Sequence, residues 1–252
     1  MEASYIAAEL IEHRRVARDT AILAYRLLEE PQRQPLPGQF YMFHVPGVEA
    51  VPLSVYNYSQ RTIWFLVKER GETTRIIVEE APRRIGLLGP LGKPLPPPPR
   101  GGRALLLAGG VGVAPLAFYA RHHPSTLLLG VRSREYYFDT GIGCVLVASD
   151  DGSIGVRGTV IEAIDSYRIE PASYSLIIAA GPTPMLCAAY AEMKRRGVLG
   201  KTILVLEEET ICGLGFCGSC LIPGTSLRLC REGPGVEARL LSSWFQARCK
   251  AC

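Results

Sequence analysis

The sequence predicts an antiparallel β-barrel, then an α/β domain built on a parallel sheet, then a small cysteine-rich module at the C-terminus. Three observations predict it. Short apolar and β-branched runs broken by turn residues fill the first third of the chain. Past a proline-rich connection, continuous apolar runs alternate with helix-like segments. Six of the eight cysteines fall within the last 41 of the 252 residues, and the first 143 residues have none.

The barrel runs are Ile6–Ile11, Thr20–Leu27, Gln39–Val45, Leu53–Tyr58, Thr62–Val67 and Arg75–Glu79, at a spacing that suits a small barrel. The stretch GPLGKPLPPPPR, Gly89–Arg100, follows. Its four consecutive prolines continue neither a strand nor a helix and make a stiff, extended connection. The expected division is therefore 1–98, 99–206 and 207–252. In the second part, strands are expected at Ala104–Leu107, Thr126–Gly130, Cys144–Ala148, Leu176–Ala179 and Ile203–Leu206. Helices are expected at Pro115–His122, Gly158–Asp165 and Pro184–Arg196. Strands with no polar face imply a parallel sheet covered on both sides.

Composition narrows the function. Hydrophobic residues at 48% against 21% charged can bury a core. A net charge of +4, with no Lys/Arg tract, is too mild for a nucleic-acid binder. The longest apolar run, Ala104–Ala120, is broken by Gly109, Gly110, Gly112 and Pro115 and falls short of the roughly 20 residues of a membrane span. The start shows no basic region leading into an apolar one, so a soluble, cytoplasmic protein is expected.

The most specific motif is Cys212-Gly-Leu-Gly-Phe-Cys217-Gly-Ser-Cys220, with Cys230 following. This is the C-x4-C-x2-C…C spacing of a [2Fe–2S] cluster. Gly213, Gly215 and Gly218 let the backbone wrap closely and aim N–H groups at sulfur. A zinc site using Cys217, Cys220, Cys249 and Cys252 is the rival reading, because two C-x2-C pairs also suit zinc. Cys249 and Cys252 are equally readable as a disulfide or as free thiols. Cys144 and Cys187, in apolar patterns, read as core residues.

A second motif, Leu105–Pro115, runs from a strand through Gly109, Gly110 and Gly112 into a helix carrying Pro115 in its first turn. Such a turn lets backbone N–H groups meet a pyrophosphate. Gly181, Pro182 and Met185 sit at another strand end, and in a parallel sheet both loops lie at the ligand-binding edge. Asp150-Asp151-Gly152-Ser-Ile-Gly155 forms a further loop of this kind. Upstream, Pro52–Val55 and Lys68–Thr74 are candidate flavin contacts. No acid–base constellation is evident, and His13, His44, His122 and His123 belong to no motif.

Taken in order, the barrel, GPLG, GGxGxxP, DDGSxG, GPxPM and the cysteine motif followed by Cys230-Arg-Glu-Gly233-Pro234 resemble the ferredoxin–NADP reductase superfamily. Within it they are most similar to the electron-transfer subunits of type B dihydroorotate dehydrogenases. The resemblance implies an antiparallel β-barrel flavin domain, an α/β parallel-sheet nucleotide-binding domain and an iron–sulfur module. It implies FAD contacts at Val51, Pro52, Leu53, Ser54, Leu66, Val67, Lys68, Thr73 and Thr74, and cluster ligation by Cys212, Cys217, Cys220 and Cys230. It also implies electron transfer by FAD and the [2Fe–2S] cluster between NAD and a partner. That partner would be an FMN-containing dihydroorotate dehydrogenase catalytic subunit of pyrimidine biosynthesis, in a heterotetramer.

Two residues depart from the family pattern: Val51 stands where Arg is usual, and Thr73 where Gly is usual. Without that Arg a bidentate phosphate partner is missing, so either another basic residue such as Lys68 or Arg75 helps or FAD binds more loosely, which leaves FMN in place of FAD open. The loop Gly130–Glu135 is expected to read the ribose 2′ position. Its Arg132, Ser133 and Arg134 suit NADP, whereas the family suits NAD, and NAD is the expectation. Diaphorase subunits of hydrogenases, sulfite reductases or transhydrogenase-like complexes share the module. A zinc-binding interaction protein on a reductase-like fold is the alternative of another class.

Overall fold

The alternating runs of the first ninety residues form six strands that close on themselves. In the computed structural model, which describes residues 4–249, these are β1 (Ser4–Ala17), β2 (Thr20–Leu27), β3 (Phe40–His44), β4 (Val51–Ser59), β5 (Thr62–Lys68) and β6 (Arg84–Leu91). They join in the order β1-β2-β5-β4-β3-β6, every pairing antiparallel. Period-two alternation sends Tyr25, Tyr41, Phe43 and Phe65 inward. There Tyr25 meets Phe43 edge-on at 5.4 Å between ring centroids, and Phe43 meets Phe65 at 5.4 Å.

Two elements differ from expectation. Arg75–Glu79 is no strand but part of helix α1 (Glu72–Glu80). The Thr74 hydroxyl accepts the N–H groups of Arg70 and Gly71, which closes the helix start, and Ile77 and Val78 bury against the barrel. The sixth strand is instead β6, which extends into the GPL segment before the prolines begin. It pairs with β1 and β3, and so completes the closure.

The second sheet has the order β10-β9-β8-β7-β11-β12-β13. Its strands are β7 (Ala104–Gly109), β8 (Ser125–Val131), β9 (Val145–Ser149), β10 (Val156–Arg157), β11 (Leu176–Ala180), β12 (Thr202–Val205) and β13 (Gly235–Glu237). All pairings are parallel except β12 with β13. Helices α2 (Val113–His122), α3 (Glu162–Ser166) and α4 (Thr183–Arg195) cover the sheet. Along β7, Leu105 and Leu107 pack into the core containing Ala163, Ile164 and Leu186, while Leu106 and Ala108 pack with Leu116 and Ala117 of α2. A strand apolar at every position is what two covered faces require.

After β12 the chain runs through the cysteine loop and α5 (Leu229–Glu232), returns as β13, and continues into α6 (Ser242–Cys249). The loop packs on the barrel as well as on the sheet: Gly92 N donates to Cys230 O at 3.0 Å, and Leu91 and Met42 share a core with Leu229 and Cys230. The barrel is also strapped to the sheet by Arg121. Its guanidinium lies 4.7 Å from the Tyr56 ring centre and donates to Thr140 O at 2.7 Å and Tyr56 O at 3.2 Å. Among the described residues, no helix is long and apolar enough to cross a membrane.

Two cysteines fall elsewhere than expected. Cys144 is exposed just before β9, and Cys187 of α4 forms a disulfide with Cys249 of α6. That bond crosses 62 residues of chain and sits beside stacked Tyr190 and Phe245. Cys252, read as a possible partner of Cys249, lies outside the described residues. Cys249→Ser should lower stability by roughly 2–4 kcal/mol, the usual range for closing a long loop. Thermal unfolding with and without a dithiol reductant checks it: wild type should respond to reductant and the variant should not.

Candidate functional site

A cavity of about 490 Å³ opens where the barrel meets the C-terminal edge of the parallel sheet, within the size range of small-molecule sites. The barrel contributes Phe40, Val51, Pro52, Leu53, Ser54, Leu66, Lys68, Arg70 and Thr74. The turn after β7 contributes Gly112 and Pro115, and the turn after β11 contributes Gly181 and Thr183. Glu207, Glu208, Glu209 and Thr210, which follow β12, form another wall with Arg248 of α6. The edge position follows from topology, because β7 and β11 are neighbours whose crossovers lead to opposite sides of the sheet.

Several expected contacts take other places. Val67 is buried inside the barrel, because β5 alternates and its cavity side carries Leu66 and Lys68. Thr73 is buried too; its hydroxyl donates to Glu49 O at 3.0 Å and pins α1 to the start of β4. Gly109, Pro182 and Met185 do not line the cavity. A Cβ on Gly109 would run into the Met185 sulfur, with Pro182 Cδ 3.0 Å away. Gly110, at φ +52°, borders open space. Gly112 is the steric contact between the turns: a Cβ there would collide with Ala180 O and stand 2.7 Å from Gly181 Cα.

Sequence reasoning missed Phe40, Glu207–Thr210 and Arg248, and reached Arg70 only as part of the Lys68–Thr74 segment. Three consecutive acids directly after a parallel strand are a usable signal, since ligands gather at that edge. Arg248 carries no pattern of its own. All three cavity cations are paired: Lys68 with Asp19 at 3.1 Å, Arg70 with Glu207 at 3.0 Å and Arg248 with Glu208 at 2.7 Å. Lys68 also lies 5.2 Å from the Tyr136 ring centre. An apolar wall of Phe40, Val51, Leu53 and Leu66, beside hydroxyl groups and cations, matches a flavin ring joined to a phosphate chain. The residues present therefore fit FAD.

The four motif cysteines form two pairs. The Cys220 and Cys230 sulfurs lie 3.3 Å apart and are buried. The Cys212 sulfur accepts the N–H groups of Leu214 at 3.4 Å and Cys217 at 3.5 Å. Burial by itself would raise the Cys212 thiol, but the N–H groups of Cys217, Leu214 and Phe216 outweigh it and bring the thiol down to about 6. Burial and the neighbouring Cys220 push Cys230 up to about 12. Among the described residues, no three His, Cys, Asp or Glu side chains form a group able to hold one metal ion. Pairs suit two irons taking two thiolates each; structural zinc needs four ligands on one ion. With Cys249 bonded to Cys187, the zinc reading loses a ligand.

In the loop after β8, Arg134 is occupied. Its backbone N–H donates to Ser153 Oγ at 2.8 Å and its Nε to Ser153 O at 3.2 Å, while Ser153 Oγ donates to Asp151 Oδ1 at 2.7 Å. Glu135 faces Arg18 of the barrel at 3.5 Å. The Glu135 carboxylate offers nothing to a 2′-phosphate, and Arg134 has its Nε committed to the Ser153 carbonyl. The four histidines bond elsewhere or stack, and none lines the cavity.

Residues 207–242 match the family model for the iron–sulfur cluster binding domain of dihydroorotate dehydrogenase B. The chain is 34% identical over 209 residues to the probable dihydroorotate dehydrogenase B (NAD(+)), electron transfer subunit, of Archaeoglobus fulgidus, covering 80% of this chain and 86% of that one. It is 33% identical over 227 residues to the corresponding subunit of Geobacillus thermodenitrificans, covering 80% and 85%. Among solved structures, an NADH-dependent reduced ferredoxin–NADP oxidoreductase, described for flavin-based electron bifurcation, superposes with a TM-score of 0.78 at 26% identity. That match covers 95% of this chain and 93% of the other.

Proposed function

This chain belongs to the electron-transfer subunits of dihydroorotate dehydrogenase B, and we propose on that footing that it carries electrons from dihydroorotate oxidation in a partner subunit to NAD. The observation that carries the reading is the shared wall: Glu207–Thr210 line the cavity, and the same segment leads straight into Cys212. A bound flavin exchanges electron pairs with nicotinamide and single electrons with an iron–sulfur cluster. The chain's own task is to place the two and keep water out.

Val51–Ser54, Leu66, Lys68 and Thr74 would hold FAD, with Val67 and Thr73 supporting that wall from behind. The turns carrying Gly112, Pro115, Gly181 and Thr183 would admit the nicotinamide nucleotide, with Gly109, Gly110, Pro182 and Met185 shaping them. Cys212, Cys217, Cys220 and Cys230 would hold the cluster. On this reading the chain divides at about 98 and 206, works in the cytoplasm, and joins an FMN-containing catalytic subunit in a heterotetramer. The full-length likeness to the bifurcating oxidoreductase favours a second reading, a subunit of a transhydrogenase-like complex. Co-purification separates the two by the partner recovered.

Purified protein should show flavin absorbance with a broad iron–sulfur shoulder, and dihydroorotate should reduce both only when the catalytic subunit is added. Reduction with dihydroorotate by the isolated chain would overturn the assignment. NADH should be the preferred nucleotide in dye-coupled assays, and Arg134→Ala should leave that preference in place because Arg134 is held by Ser153. A preference for NADPH of tenfold or more, about 1.4 kcal/mol, would reverse the conclusion.

A further inference from the structure

Val51, at the start of β4, is aliphatic, and so are its neighbours Pro52 and Leu53 on the same cavity wall. A flavin adenine dinucleotide brings a diphosphate with two negative charges, which a cavity of this kind meets with a cation. Three cations are available, and they are not equally free. Lys68 is held by Asp19, with both side chains about a quarter exposed (27% and 26%), and by the Tyr136 ring. Arg248 is held by Glu208, which is only 12% exposed. Arg70 is bound to Glu207 with both side chains 54% exposed. An ion pair that open to water contributes little, so it gives way to a stronger partner. Arg75, the basic residue suggested by sequence, is exposed and does not line the cavity.

We propose that Arg70 is the diphosphate-binding residue of the FAD site, released from Glu207 when FAD enters. The inference rests on the flavin reading given above. Position supports it. The bond from Thr73 to Glu49 O holds the segment after Arg70 against the segment before Val51, so both residues serve one stretch of wall. Thr74, four residues on, lines the same wall and orders the backbone of Arg70 through its hydroxyl at 2.8 Å. Arg rather than Lys suits the task, because the guanidinium fork meets two phosphate oxygens at once. A phosphate of FAD would compete with the Glu207 carboxylate for the same guanidinium, so the pair that bridges barrel and sheet would open on FAD binding.

The test is calorimetric titration of flavin-stripped protein with FAD and, in parallel, with riboflavin, which has no phosphate. Arg70→Ala should weaken FAD by tenfold or more, about 1.4 kcal/mol, with riboflavin unchanged. The loss should shrink as salt is raised. Arg70→Lys should fall between. Arg75→Ala should bind FAD like wild type, and Glu207→Gln should bind it as tightly or more tightly, since the competitor is gone. Val51→Arg added to Arg70→Ala should restore FAD affinity. Arg70→Ala binding FAD within twofold of wild type would overturn the proposal, and so would an equal loss of FAD and riboflavin, which would mean a collapsed wall. Wild-type protein that takes up neither flavin would overturn the flavin reading beneath it, a different result from either.

Discussion

Cys217→Ser should remove the iron–sulfur absorbance entirely and leave flavin content at the wild-type level. The expectation follows from where the residue stands. Cys217 is exposed on the loop, is not part of the flavin cavity, and pairs with Cys212 through its backbone N–H. A serine hydroxyl keeps the shape but offers no thiolate, and a [2Fe–2S] cluster needs all four ligands. NADH-driven dye reduction, which needs only flavin and nucleotide, should continue, while electron delivery from the catalytic subunit should stop. Visible and paramagnetic resonance spectra, together with released-flavin analysis, read the two sites separately. Loss of FAD together with the cluster would show that the cavity and the cysteine loop fold as one unit.

Gly112→Val should cut NADH-driven flavin reduction by about a hundredfold, roughly 2.8 kcal/mol, again with flavin retained. The backbone at Gly112 is ordinary (φ −59°), so strain plays no part. The obstacle is packing: a Cβ would press on the Ala180 carbonyl and on Gly181 Cα, both backbone, and neither can turn aside as a side chain would. The turns after β7 and β11 would separate, and the proposed nucleotide seat lies between them. Gly110→Ala is the contrast. Nothing lies within 4 Å of a Cβ there, so its cost is only that of a left-handed residue at φ +52°, about 1–2 kcal/mol. Stopped-flow reduction of both variants decides it. A larger loss at Gly110 than at Gly112 would mean that the first turn, not its contact with the second, makes the site.

What could be read from the sequence was what physics makes local. Four cysteines at fixed spacing with glycines between them announce a cluster loop, because ligand geometry is set within one short stretch. Period-two runs gave the barrel, and uninterrupted apolar runs gave the covered sheet. Where the reading failed, a distant or single side chain decided the matter. Ile76–Val78 looks like a strand until the Thr74 hydroxyl starts a helix. The GPL of β6 looks like linker until it pairs with β1 and β3. Cys187 and Cys249 find each other across 62 residues, a pairing no spacing rule predicts. Arg248 is an ordinary surface-type residue in sequence and becomes a cavity residue only because α6 arrives beside the barrel.

Thr210 is the last residue of the Glu207–Thr210 wall, and Cys212 comes two residues later. Two residues of chain span at most about 7 Å. On the proposed reading, the gap that electrons cross between the two centres would therefore be set partly by peptide bonds. The internal transfer rate should accordingly be indifferent to solvent viscosity, and a slowing in glycerol or sucrose should appear only in the steps where nucleotide or the catalytic subunit comes and goes.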